Sequence, residues 1–191
     1  TAPYLHSGGG PGGWGCAIIE APYQFYKHYG EAEPLEALYD QMLAYFAYLE
    51  SHTVNGLITS DKEGEWCLGD WCPPIQVILP APFVNNYFYI KSLERMTEIA
   101  GVLHREEDMS LFSERIRERK EAIMAAYYNP WDGNFLGNMQ GANAFAVDIG
   151  LGDERTYKNL VKRYNELGCY DTGIFGTDIV TRVLFEHGDG E

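Results

Sequence analysis

Glu65-Trp66-Cys67-Leu68-Gly69-Asp70-Trp71-Cys72-Pro73-Pro74 gathers two tryptophans, two carboxylates, two cysteines and a diproline into ten residues. On either side of it apolar residues recur at three- and four-residue spacing: Leu35, Leu38, Met42, Tyr45, Phe46 and Leu49 before it, and Tyr87, Ile90, Leu93, Ile99 and Val102 after it. That is the period of an amphipathic helix. The stretch is therefore a long connection between helices, and helices joined by loops decide the fold. Gly69 permits a turn that other residues resist, and Pro73 and Pro74 stiffen the exit. An aspartate beside a tryptophan sets a hydrogen-bond acceptor next to a flat apolar face. A sugar presents the matching surfaces, hydroxyls around its edge and C–H groups on its faces. The competing reading is that Trp66 and Trp71 plug the loop onto the helices while Asp70 caps a turn, and these ten residues alone leave both open.

Upstream, residues 1–13 are rich in glycine and proline and form a loop that delivers Trp14. From Gly15 to Tyr29 the chain is apolar on nearly all sides and ends at Gly30, which predicts a largely buried helix. The next helix has Pro34 near its start, where proline is tolerated. Downstream, helices are predicted over Phe83–His104 and Glu106–Tyr128, the latter with Glu106, Glu107 and Asp108 in its first turn, as the helix dipole favours. Asn129-Pro130-Trp131-Asp132-Gly133-Asn134 reads as the tip of a short hairpin. Three further helices follow, over Met139–Ile149, Asp153–Leu167 with Asp153 as N-cap, and Ile174–His187 closed by Gly188. A second polar, glycine-rich loop, Gly168 to Thr177, separates the last two. No strand pattern emerges. Antiparallel helix pairs with alternating short and long connections predict an all-α fold, part of an (α/α)6 barrel. No fixed-period repeat supports a solenoid.

With 191 residues, 46% hydrophobic and 14% aromatic, the chain can bury a core. The formal net charge of -14 repels polyanions, so neither nucleic acid nor an anionic membrane surface is an expected partner. No run approaches the roughly 20 apolar residues that span a bilayer. A soluble protein is expected. Cys67 and Cys72 could make half of a zinc site, but no second Cys or His pair of matching spacing completes it. Buried thiols or one local disulfide remain the alternatives. No metal and no cofactor are expected: the five histidines form no ligand-like set, and no GxSxG or phosphate-binding glycine motif occurs.

Taken in order, Gly13-Trp14-Gly15, Pro22 with Tyr26 and Tyr29-Gly30-Glu31, Gly69-Asp70-Trp71, Met96 with Ile99-Ala100, Asn143-Ala144-Phe145-Ala146 with Gly150-Leu151, and Asp171-Thr172-Gly173-Ile174-Phe175-Gly176-Thr177 resemble the catalytic domain of bacterial α-L-rhamnosidases, glycoside hydrolase family 78. The collinear set covers nearly the whole chain. The resemblance implies an (α/α)6 barrel, a compartment in the bacterial cytoplasm or periplasm, and removal of terminal α-L-rhamnose with inversion. One carboxylic acid then protonates the leaving oxygen while a second carboxylate activates water, the two roughly 6.5 to 9.5 Å apart. In the family both are glutamates, the first on an Asp-Cys-Pro, Arg, Glu segment before the Trp-Gly stretch, the second on a Gly-Ala-Thr-Thr, Trp-Glu segment beyond the last loop. Only a glycine-rich lead precedes Trp14, and the chain ends at Glu191, so no catalytic residue is expected here. Residues 1–191 read as a single segment of such a domain, truncated at both ends. Its expected partners are the rest of that domain, or further copies of itself through exposed helix faces.

By the same resemblance Trp14 and Trp71 would line the rhamnose pocket, and Asp70 would either bind a sugar hydroxyl or hold the loop. Cys16 stands where many relatives carry an acid. Two more carboxylates join the candidate substrate-binding set. Glu20 lies in an apolar helix, where a partnered structural role is the commoner outcome, and Glu65 is expected to tether its loop. Asp171 and Thr172 could edge the site or cap the last helix, and the cap is favoured because both are good N-cap residues.

Overall fold

The computed structural model describes residues 10–60, 69–74 and 79–189. Glu65, Trp66 and Cys67 lie outside the described residues. Seven helices are present among those described: α1 Ala17–Tyr29, α2 Glu33–Ser51, α3 Ala81–Val102, α4 Glu106–Tyr127, α5 Gln140–Asp148, α6 Glu154–Leu167 and α7 Ile174–Glu186. Two hairpins interrupt them, β1 Thr53–Val54 with β2 Leu57–Ile58, and β3 Tyr128–Asn129 with β4 Asn134–Phe135. The fold is all-α, as the periodicity predicts, with helix bounds within two residues of the expected ones.

The chain divides into two compact units, one holding the described residues of 1–67 and 88–122, the other those of 68–87 and 123–191. In the first, α1 and α2 form a hairpin across Gly30, whose left-handed φ of 74° lets its N–H reach the Tyr26 carbonyl at 2.8 Å. Ile19, Leu35, Tyr39, Met42, Phe46, Leu93, Met96 and Phe112 build one core. Phe46 sits at its centre, its ring 5.4 Å from Tyr89 and 5.7 Å from Phe112.

Helix α1 corrects one expectation. Its face of Ile19, Pro22 and Tyr23 is buried, but Phe25 and Tyr29 are exposed and lean on each other with ring centroids 4.7 Å apart. An apolar run on all sides of a helix marks burial only when neighbours exist on all sides.

The β1–β2 hairpin corrects another, since no strand pattern was expected. Asn55 and Gly56, at φ 51° and 78°, make the tight two-residue turn that an Asn-Gly pair encodes. Strands of two residues are too short to show alternation. Arg119 fastens the hairpin, its Nη1 donating to the Gly56 carbonyl at 2.7 Å and its Nη2 to Glu50 at 2.7 Å, with the guanidinium stacked on Tyr89. Burial opposes a charge on Glu50, yet the hydrogen bonds from Tyr89 and Arg119 outweigh it and hold its pKa below the ordinary value.

In the second unit α5 packs against both α6 and α7. Phe145 lies against Phe83 and Tyr87. The buried Asp148 accepts from the Tyr87 hydroxyl at 2.6 Å and pairs with Arg182. Helix α6 opens with a capping box in which Asp153 accepts from the backbone N–H of Arg155 at 2.8 Å and Thr156 reaches back to the Asp153 N–H. The expected β3–β4 hairpin is present. Asn143 anchors it by accepting from the Phe135 N–H at 2.9 Å and donating to Asn134 and Asn138.

Candidate functional site

The starts of α5 and α7 and the segment Gly69–Pro74 meet in the second unit. Helix α7 begins after Gly173, a residue with no side chain to cap the free N–H groups of the first turn. Asp70 supplies the cap from a distant part of the chain. Its Oδ2 accepts from the Gly173 N–H at 2.7 Å and its Oδ1 from the Gly176 N–H at 2.9 Å. Beside it the Ile174 N–H donates to the Trp71 carbonyl at 2.8 Å. The anion also lies at the positive end of the helix dipole. Of the two roles foreseen for Asp70, its hydrogen bonds show the one that holds the loop. Burial raises its pKa above the ordinary value, against the opposing pull of the Gly176, Gly173 and Phe175 amides.

The approach of the two loops depends on glycine. A Cβ on Gly173 would stand 2.2 Å from the Trp71 carbonyl oxygen, and one on Gly176 would stand 2.4 Å from Asp70 Oδ2. Gly69 serves a purpose other than the expected turn. It lies against Ala81, whose Cα would be 3.0 Å from a Cβ at that position. The left-handed residue of this stretch is Cys72, at φ 58°, which turns the chain away directly after Trp71. Cys72 and Cys169 are exposed free thiols.

Asp171 corrects the assignment of the last helix's cap. It accepts from the Gln140 N–H, the first residue of α5, and its own N–H donates to Gln140 Oε1 at 3.3 Å. It thus serves α5, while Thr172 hydrogen-bonds Thr177 at 3.0 Å. The reason is position: three residues ahead of α7, Asp171 is already turned back toward the neighbouring helix. It is only 5% exposed, and its Oδ1 has no hydrogen-bond partner among the described residues. Burial raises its pKa, the Gln140 and Gly141 amides and the Arg163 charge work against that, and the Asp70 charge adds to it.

Beside the two carboxylates, both turned onto backbone amides, two large apolar side chains are open to solvent. Trp71 is 43% exposed and Ile174 is 51% exposed. A flat indole open to solvent suits the C–H face of a sugar ring.

The remaining candidates lie in the first unit or outside the described residues. Trp14 is half-buried in a loop that doubles back on itself, since a Cβ on Gly15 would be 1.8 Å from the Gly10 carbonyl oxygen. Next to it the Cys16 thiol donates to the Gly13 carbonyl, and burial, with the Glu20 charge adding, pushes its pKa up to about 12. A thiol so held stays protonated and offers no acid. Glu20 accepts from Gln24 Nε2 at 2.6 Å and pairs with Arg95 at 3.4 Å, the partnered arrangement rather than a free carboxylate. Glu65 is outside the described residues. Among those described, no group of three His, Cys, Asp or Glu side chains could hold a metal ion, and no helix is long and apolar enough to cross a membrane.

Paired helices, with glycine-rich loops pinning a half-open tryptophan at the helix starts, are the build of a helical-hairpin glycosidase domain. The chain belongs to the family described as the bacterial alpha-L-rhamnosidase 6 hairpin glycosidase domain, whose model matches residues 1–191. It is 26% identical over 186 residues to an alpha-L-rhamnosidase of Streptomyces avermitilis, covering 95% of this chain and 17% of that protein. It is 25% identical over 200 residues to one of Formosa agariphila, covering 93% and 20%. The crystal structure of the Streptomyces avermitilis alpha-L-rhamnosidase complexed with L-rhamnose matches with a TM-score of 0.81 at 23% identity, over 94% of this chain and 17% of that one. At that identity the likeness shows a shared fold. The chain spans about a fifth of the length of these curated relatives.

Proposed function

We propose that this chain is part of an inverting glycoside hydrolase that removes terminal α-L-rhamnose from glycosides or polysaccharides. The observation that carries the reading is the family match over all of residues 1–191, with curated relatives named as alpha-L-rhamnosidases. Within it Trp71 is a sugar-facing residue, offering an aromatic surface to the ring and methyl group of a deoxy sugar, and the sugar-lining role that the resemblance implies for Trp14, in the other unit, is a separate proposal. Trp71 has the exposure to do so. Glu20 is assigned to structure, on its Gln24 and Arg95 partners. The proton-transfer pair comes from polypeptide outside these residues, so the chain supplies part of the sugar site and none of the acid–base chemistry.

Proton NMR of p-nitrophenyl α-L-rhamnoside turned over by the full-length protein tests this. Inversion delivers β-L-rhamnose as the first product, before mutarotation. The α anomer appearing first would remove the inverting mechanism. Absence of turnover would favour a sugar-binding or structural helical module, and turnover of a different glycoside alone would favour another sugar enzyme of the same helical-barrel fold.

A further inference from the structure

The reading above places Trp71 against the sugar, and on that basis we infer that Asp70 is a positioning residue for Trp71, acting through the start of α7. Three hydrogen bonds join two consecutive residues, Asp70 and Trp71, to Gly173, Ile174 and Gly176. Both carboxylate oxygens are committed to backbone N–H groups. The Trp71 carbonyl takes a third, so its backbone is fixed while the residue stays 43% exposed. Cys72 follows in a left-handed conformation, at φ 58°, which turns the backbone directly after Trp71. The clamp leaves no slack. Gly173 and Gly176 approach so closely that a methyl group on either would meet the Trp71 carbonyl or the Asp70 carboxylate well inside van der Waals contact. The Gly168–Thr177 loop is also held by Asp171, which is hydrogen-bonded to Gln140 at the start of α5. Asp70 therefore contributes to sugar binding without touching the sugar, by holding a ring that would otherwise pay for its own ordering on each binding event.

A double-mutant cycle on p-nitrophenyl α-L-rhamnoside hydrolysis by the full-length protein tests this. Asp70→Asn keeps the shape but replaces one acceptor by a donor facing an N–H group. Alone it raises KM about tenfold and leaves kcat within about twofold, the pattern of lost ground-state binding. In a Trp71→Ala background, where nothing remains to be positioned, the same substitution changes KM by less than about twofold. Gly176→Ala, which pries the clamp open without altering the charge of Asp70, reproduces both results and stands in should Asp70→Asn not fold. An equal rise in KM in both backgrounds would overturn the inference, because Asp70 would then act on the sugar or on the whole fold. A KM unmoved by Trp71→Ala alone would overturn it differently, by removing Trp71 from the site and with it the reading on which the inference rests.

Discussion

The carboxylate of Asp70 accepts from the backbone N–H of Gly173 at 2.7 Å, although the two residues are 103 positions apart in the chain. One charged group thereby ends one loop and starts a helix in another. The junction is specific because neither partner can be enlarged, the glycines having no room for a Cβ and the aspartate having no spare oxygen.

The glycine requirement is measurable as stability. Alanine at Gly176 must displace the Asp70 carboxylate or Thr172 from contact distances of 2.4 and 2.7 Å, and overpacking of this kind costs about 1–3 kcal/mol. Gly168→Ala meets open space but sits at φ 64°, so its cost is the smaller one of a left-handed alanine, about 1 kcal/mol. Urea unfolding of both variants checks the order, and an equal or reversed effect would contradict the close approach.

The buried Asp171 predicts a pH dependence with a definite sign. Its pKa is raised above the ordinary 3.8, so between these values the folded state binds more protons than the unfolded state. Stability from this group is fully present below pH 3.8 and is lost as pH rises through the folded pKa. Asp171→Asn removes the titration while keeping an acceptor for Gln140. The melting temperature of the variant relative to the parent is expected to be higher at neutral pH than below pH 3.8. A difference that stays constant, or that favours the parent more at neutral pH, would remove the buried carboxylate from the pH balance.

The Tyr87–Asp148–Arg182 cluster separates a hydrogen bond from a charge pair. Tyr87→Phe removes one donor to a charged acceptor and costs about 1.5 kcal/mol. Arg182→Met takes the cation from a buried carboxylate that keeps its Tyr87 hydrogen bond and costs about 2 kcal/mol, less than for a fully enclosed pair because Arg182 is half-open to solvent. Chemical denaturation of the two variants is the measurement, and a larger loss for Tyr87→Phe would contradict the assignment.

Helix identity was legible from spacing alone, since residues such as Leu35, Met42, Phe46 and Leu49 on α2 recur at the helical period and are buried where that period puts them. Caps drawn from sequence neighbours were legible too, as Asp153 before α6 shows. Caps supplied by remote segments were not. Nothing local to α7 announces that Asp70 will serve its first turn, and nothing near α5 announces Asp171. The cue for that contact was indirect, in glycines at 173 and 176 whose need becomes visible only when the facing loop is in place. The Asn55-Gly56 turn was a local cue, obscured because the strands beside it are two residues long.

Crystals of the full-length protein soaked with L-rhamnose test the central claim most directly. The sugar is expected with a C–H face against the Trp71 ring and with the Asp70 carboxylate still on the Gly173 and Gly176 amides. L-rhamnose bound away from Trp71, or an Asp70 that has left α7 to take a sugar hydroxyl, would contradict it.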